Sequence, residues 1–241
     1  MILSIIIPAK NEEKQLPVLL ASIKNQTFKD LEIIVADAKS TDKTREVVAS
    51  LGGRVVEGGM PGPGRNRGAE AALGEILLFL DADVILVGDD FLEKTVAEFK
   101  VKKLCCAAPL SRTSSDIFLD RLYPKLWNIW IMIASHFSPC AGGWCIFATK
   151  AAHDKIKGFD EKIILGEDSD YSYRASRICK FGILKSAVVE NSPRRLHKEG
   201  YLKVFLQVVG AGFNRFIMGR RDYQNKFNYK FDIYDKKDDK K

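Results

Sequence analysis

Ile76-Leu77-Leu78-Phe79-Leu80-Asp81-Ala82-Asp83 decides how this chain is read. Five apolar residues without polar alternation suit a strand buried on both faces, and two aspartates close it abruptly. The same grammar recurs upstream. Ile2–Ile7 is an apolar, largely β-branched run closed by Pro8, and Leu31–Ala36 is a short apolar strand ending at Asp37. Between these runs, Lys14–Asn25 sets Leu16, Leu19, Leu20 and Ile23 at helical spacing. Ser40-Thr41-Asp42 supplies N-cap residues for a helix running to Ser50. Arg54–Val56 reads as a third strand, Gly58–Gly64 as a Gly/Pro loop and Arg65–Leu73 as a helix. Unalternating strands separated by helices predict an α/β fold, a mostly parallel central sheet with helices on both faces. Ligands of such sheets gather beyond the carboxyl ends of the strands, where Lys10, Asn11, Asp37 and Asp81 stand.

The second half is less regular. Asp116–His136 predicts a long helix, unusually apolar from Leu126 to Ile133, and Trp144–Thr149 a strand. Asp168–Lys180 then reads as a helix and Ile183–Val189 as a strand. Glu199–Gly219 carries Tyr201, Val204, Phe205, Val208, Gly212 and Phe216 on one face, the pattern of an amphipathic helix. The division that follows is a single domain over residues 1–198, with a nucleotide-binding half 1–110 and an acceptor half 111–198. An amphipathic helix at 199–220 and a flexible charged tail at 221–241 complete it. No segment supplies the roughly 20 apolar residues of a transmembrane helix.

Of the 241 residues, 46% are hydrophobic and 29% charged, within the range of globular chains with a sizeable core. The net charge of +7 is local: residues 185–221 hold eight basic and two acidic side chains, while residues 1–184 balance. A local excess favours a diphosphate or a membrane surface as partner over nucleic acid. Cys105, Cys106, Cys140, Cys145 and Cys179 are odd in number and lack metal-type spacing. That pattern reads as free thiols in a reducing cytoplasm.

Aspartates at i and i+2 of a strand share a side. Carboxylate oxygens are the ligands Mg²⁺ and Mn²⁺ prefer, and an ion at Asp81 and Asp83 would neutralise charge on a diphosphate leaving group. The alternative is a pair of turn aspartates capping the following loop.

Further motifs stand in a particular order. Pro8-Ala9-Lys10-Asn11-Glu12 precedes Asp37 with Ser40-Thr41-Asp42, and Gly62-Pro63-Gly64-Arg65-Asn66-Arg67-Gly68 precedes the Asp-x-Asp. Gly142-Gly143, Gly158-Phe159-Asp160 and Gly166-Glu167-Asp168-Ser169-Asp170 follow. In this order, over residues 2–190, the chain resembles the family 2 glycosyltransferases of GT-A fold, which are inverting and nucleotide-sugar dependent. It departs from their pattern at Ala38-Lys39, where Lys39 receives no role.

The resemblance implies a nucleotide site built from Pro8, Ala9, Asn11, Glu12, Asp37, Arg65, Asn66, Asp81 and Ala82. Glu12 would reach the ribose, and Asp37 would accept a hydrogen bond from uracil or guanine. Asp81 and Asp83 would hold Mg²⁺ or Mn²⁺, with His197 completing the shell as in some relatives. Asp168, beside Glu167, would be the general base. Gly142, Gly143 and Trp144 would meet the donor sugar or acceptor, and Arg194 and Arg195 the diphosphate. Each has a plainer alternative: a helix N-terminal charge for Glu12 and Asp168, a turn for Asp37, core for Trp144, surface for His197.

The expected function is transfer of a sugar from a UDP- or GDP-sugar to a hydroxyl of a glycan or to a lipid-linked, (poly)prenyl-phosphate acceptor. Leu126–Ile133 and Tyr201–Ile217, edged by Arg215, Arg220 and Arg221, suit either a membrane-facing surface or ordinary packing, including a homodimer interface. The expected location is cytoplasmic, or peripheral on the cytoplasmic face of a membrane. Two alternatives are a nucleotidyltransferase and an inactive sugar-nucleotide-binding relative. The first calls for a Gly-rich loop after the first strand, and Pro8–Glu12 contains no glycine.

Overall fold

The computed structural model describes residues 2–59 and 61–204. Strands β1 (Leu3–Ala9), β2 (Leu31–Asp37), β3 (Arg54–Glu57) and β4 (Ile76–Leu80) alternate with helices α1 (Leu16–Lys24), α2 (Thr44–Ser50) and α3 (Gly62–Ala71). β5 (Val84–Leu86), α4 (Phe91–Val101), β6 (Cys106–Arg112) and α5 (Phe118–Ala134) follow. β7 (Cys145–Thr149), α6 (Lys150–Lys155), α7 (Glu167–Ser176), β8 (Phe181–Asn191) and α8 (Arg194–Glu199) complete the order. One eight-stranded sheet runs β3-β2-β1-β4-β7-β6-β8-β5.

The parallel arrangement holds for β3-β2-β1-β4. Beyond β4 the sheet is mixed, with β7 antiparallel to β4 and β6, β6 parallel to β8, and β5 antiparallel to β8. Every residue of β1 and β4 is buried. Ile5, Ile7 and Leu78 enter one core with α1 and α4 (Leu19, Phe99), while Ile6 and Phe79 enter a second with Ala69, Phe159 and Tyr171. Feeding two cores from one strand requires apolar side chains at consecutive positions, hence the lack of alternation. Within the second core, Phe159 stacks on Tyr171 at 4.0 Å and Phe79 meets Phe159 edge-on at 5.0 Å.

The cysteine expectation is corrected. Cys105, just before β6, is disulfide-bonded to Cys179, just after α7, with Cα atoms 6.0 Å apart. Spacing could not reveal a pair 74 residues apart that meets only when α7 packs beside β6. The remaining Cys106, Cys140 and Cys145 are buried and form no disulfide. The argument from cysteines to a reducing compartment therefore falls. In the chain-entropy account, closing a loop of this length is worth about 4 kcal/mol. Cys179→Ser and reductant should lower the urea midpoint of unfolding alike, and an unchanged midpoint would dismiss the cross-link.

Residues 201–204 are helical. The rest of the amphipathic helix expected at 199–220, and the tail 221–241, lie outside the described residues. Among the described residues no helix is long and apolar enough to cross a membrane.

Candidate active site

The ends of β1 and β2 lie side by side, with Ala9 opposite Asp37. Beyond Pro8 and Ala9 the chain turns at Asn11, whose φ of 54° is left-handed, a conformation asparagine tolerates better than most residues. The turn is locked from the β2 side. Asn11 N donates to Ser40 Oγ (2.9 Å), Glu12 N to Thr44 Oγ1 (2.9 Å), and Thr41 N to Asn11 Oδ1 (2.8 Å). Ser40 and Thr41 thus fasten the β1 loop instead of capping α2, which starts at Thr44. Asp42 does both, accepting from Glu13 N and Thr44 N. Asp37 is buried and accepts from Arg45 Nε at 2.6 Å and from Ser40 N at 3.3 Å.

Asp81-Ala82-Asp83 occupies a turn between β4 and β5, not a continuous strand, so the side-sharing rule for strands does not apply to it. The two carboxylates lean on different arginines. Asp81 Oδ1 is 2.8 Å from Arg65 Nη2, and Asp83 Oδ2 is 3.5 Å from Arg194 Nη2. Arg194 also pairs with Glu12 at 2.9 Å. Burial, then the charge of Asp81, pushes the Asp83 carboxyl up to about 6 against the pull of Arg194. This concentration of oxygen donors and negative charge fits a hard divalent cation. No group of three or more His, Cys, Asp or Glu forms a metal cage among the described residues. Two carboxylates suit an ion that draws its other ligands from water and phosphate.

Gly166, with φ of 83°, makes the left-handed step that places Glu167 and Asp168 in the first turn of α7. The buried Arg65 guanidinium reaches Glu167 Oε1 (2.7 Å), the Gly143 carbonyl (3.1 Å) and Asp81 together. Gly143 N in turn donates to Asp168 Oδ2 at 2.7 Å. A Cβ on Gly143 would stand 2.8 Å from Arg65 Nη2 and 3.2 Å from Asp168 Oδ2, so only glycine fits between them. Burial lowers the Arg65 pKa, but the charges of Asp81, Glu167 and Asp168 outweigh it and hold the guanidinium above its ordinary value. One cation facing three carboxylates leaves excess negative charge. Burial, then Asp168, pushes Glu167 up to about 7, and burial also raises Asp168.

The glycosyl transferase family 2 profile matches residues 4–139. The chain belongs to that family. It is 36% identical over 106 residues to 4,4'-diaponeurosporenoate glycosyltransferase of Staphylococcus haemolyticus, covering 40% of this chain and 28% of that protein. It is 39% identical over 92 residues to the GalNAc(5)-diNAcBac-PP-undecaprenol beta-1,3-glucosyltransferase of Campylobacter jejuni, covering 34% and 29%. The chain thus spans less than a third of the length of either relative. The fold resembles the mannosyltransferase PcManGT from Pyrobaculum calidifontis, solved with GDP-Man and Mn²⁺. The TM-score is 0.67 at 20% identity, over 78% of this chain and 56% of that one.

At four of the expected site positions the side chain already has a protein partner. The Asn66 side-chain amide is occupied by the backbone of Phe159, to which it both donates (2.9 Å) and from which it accepts (2.8 Å). Trp144 packs edge-on against Trp127 at 5.1 Å, half-buried at the rim of the core. Arg195 pairs with Glu199 at 3.0 Å, whereas its neighbour Arg194 turns to Asp83. His197, expected in the metal shell, has a protein partner here. Its Nε2 lies 2.9 Å from Asp120, a fully buried carboxylate that also accepts from Ser115 and Tyr201. Burial would raise Asp120, but these hydrogen bonds hold it below the usual carboxylate range. Asp120 and Arg45 carry no motif in the sequence. Asp120 alone left a signal, a lone acid among the apolar residues of α5.

Proposed function

We propose that the protein is an inverting, metal-dependent glycosyltransferase that moves a sugar from a UDP- or GDP-sugar to a hydroxyl or polyprenyl-phosphate acceptor. The observation that carries this reading is Arg65. One buried guanidinium ties Asp81 of the cation motif to Glu167, next to Asp168, so both halves of a transfer reaction belong to one cluster.

In this reading the buried Asp37 carboxylate accepts from the N–H edge of the base. Glu12 receives the ribose, and the backbone of Pro8, Ala9 and Ala82 lines the nucleoside. Asp81 and Asp83 would hold Mg²⁺ or Mn²⁺, which neutralises negative charge on the departing diphosphate. Arg194 adds a second positive group on the Asp83 side. Asp168 takes the proton from an acceptor hydroxyl, and Gly143 N fixes the carboxylate plane while each oxygen keeps a lone pair. The Campylobacter relative's undecaprenol-linked name and the Mn²⁺ and GDP-Man of the archaeal structure support the acceptor and donor classes.

The test is thermal stabilisation by a panel of UDP- and GDP-sugars, with Mn²⁺ or with a chelator. At a hundred times Kd the correct donor adds about 2.7 kcal/mol. That shift should require metal and disappear in Asp83→Ala. Release of pyrophosphate from a nucleoside triphosphate and a sugar phosphate would replace this reading with a nucleotidyltransferase. Donor binding without hydrolysis or transfer would leave an inactive relative.

A further inference from the structure

Helix α5 has two unlike faces. Its inner face is fixed to the domain: Asn128 exchanges hydrogen bonds with the Ser111 backbone (2.8 and 3.0 Å), and Ile131 and Ala134 enter a small core with Cys140 and Ile183. Trp127 packs on Trp144. Tyr123 is half-buried, and burial raises its hydroxyl above the usual phenol range. The inner face thus abuts Trp144, the neighbour of Gly143, whose N–H donates to the carboxylate assigned above as base.

The outer face is apolar and uncovered by any described residue. Phe118 is 68% exposed, Leu126 49%, Ile129 50%, Trp130 41%, Ile133 53% and Phe137 53%. A stripe of large apolar side chains along some 20 residues exceeds the scattered exposure of an ordinary surface and marks an interaction face. Its exposed charges are mostly basic, with the exposed Asp116 standing just before the helix. Arg121 and Lys125 are exposed, and between residues 117 and 137 the sole acid, Asp120, is buried. The described chain ends at Val204, three residues after Tyr201, whose hydroxyl donates to Asp120 at the start of α5. Residues 205–221 then carry Arg215, Arg220 and Arg221 and no acid.

We propose that the outer face of α5 docks on an anionic lipid bilayer and so delivers a bilayer-held acceptor to Asp168. Apolar side chains would enter the boundary between headgroups and acyl chains, with Arg121 and Lys125 against lipid phosphates, the arrangement of an interfacial amphipathic helix. An acceptor phosphate or hydroxyl at the headgroup level then lies on the side of α5 that holds Tyr123. The delivery step rests on the transferase reading above, but the docking step does not.

The experiment is co-sedimentation of the full chain with phosphatidylcholine vesicles, with and without phosphatidylglycerol. Binding should require phosphatidylglycerol. Ile129→Asp with Ile133→Asp should reduce it roughly tenfold or more through lost apolar burial. Arg121→Gln with Lys125→Gln should reduce it about 30-fold, from the roughly 1 kcal/mol each basic residue contributes near such a surface. These side chains are exposed, so melting temperature and donor hydrolysis should stay unchanged. No vesicle binding by the wild type, or equal binding by the Ile129/Ile133 variant, overturns the proposal. A dimer in sedimentation velocity that the same variant dissolves would overturn it too, assigning the face to a second copy. Vesicle binding without donor hydrolysis would leave docking standing and remove the transferase reading.

Discussion

Arg65→Met should lower the unfolding free energy by about 3–5 kcal/mol, the range for removing one partner of a buried ion pair, and should abolish transfer. The side chain is 2% exposed and is the counter-charge at hydrogen-bond distance from both Glu167 and Asp81. Methionine fills similar volume but leaves those carboxylates, with Asp168 beside them, facing each other in a partly dehydrated site. Proton uptake by Glu167, already near 7, and by Asp168 should move higher still. Arg65→Lys is the discriminating control. It keeps the charge but cannot span Asp81 and Glu167 with a planar fork, so it should recover part of the stability and little of the transfer. Urea unfolding gives the first quantity, and donor turnover the second. Wild-type stability in Arg65→Met would mean the cluster is not held as described.

The contrast between strands explains what could be read beforehand. β1, β2 and β4 announce themselves because each is buried on both faces, and the aspartates ending β2 and β4 fall where a parallel sheet exposes its carboxyl ends. β5 has three residues, one exposed, and β6 includes Pro109 with a register shift beside it. Neither carries a period that a sequence window resolves. The antiparallel insertion of β7 next to β4 is likewise invisible locally, because apolar strands buried on two faces look alike in either direction.

The candidate site divides along the same line. Asp37 ends β2, Asp81 directly follows β4 and Asp168 stands in the first turn of α7, positions set by the backbone, whereas Asp83 lies in a turn that the strand pattern did not foresee. Long side chains were harder, because their partners come from distant segments. Arg65 is expected among the nucleotide contacts, and nothing in its Gly-rich segment points to the buried pairing with Glu167, 102 positions later. Arg194 returns from 182 positions away to Glu12. His197, three residues on, instead finds Asp120, which no local pattern linked to it.

Asp168→Asn should slow transfer by about 10²–10⁴, the usual worth of a positioned general base, while metal-dependent donor binding stays near wild type. Asparagine preserves the shape and can still accept from Gly143 N, so the loss belongs to proton transfer and not to folding. Wild-type activity should fall on the acid side, because burial raises Asp168 above the usual carboxylate range and its protonation removes the base, while Glu167 beside it takes up a proton near 7. Stability should run the other way. Unfolded, Glu167 titrates near 4.5, and folded near 7, so between those values the folded state binds more protons. Its contribution is therefore full below about 4.5 and lost as pH rises through 7. Activity rising and melting temperature falling over the same interval would be the joint signature of this pair. In Asp168→Asn the acid limb of the rate should vanish, and Glu167, freed of its charged neighbour, should titrate lower. An unchanged acid limb in that variant would move the base elsewhere in the site.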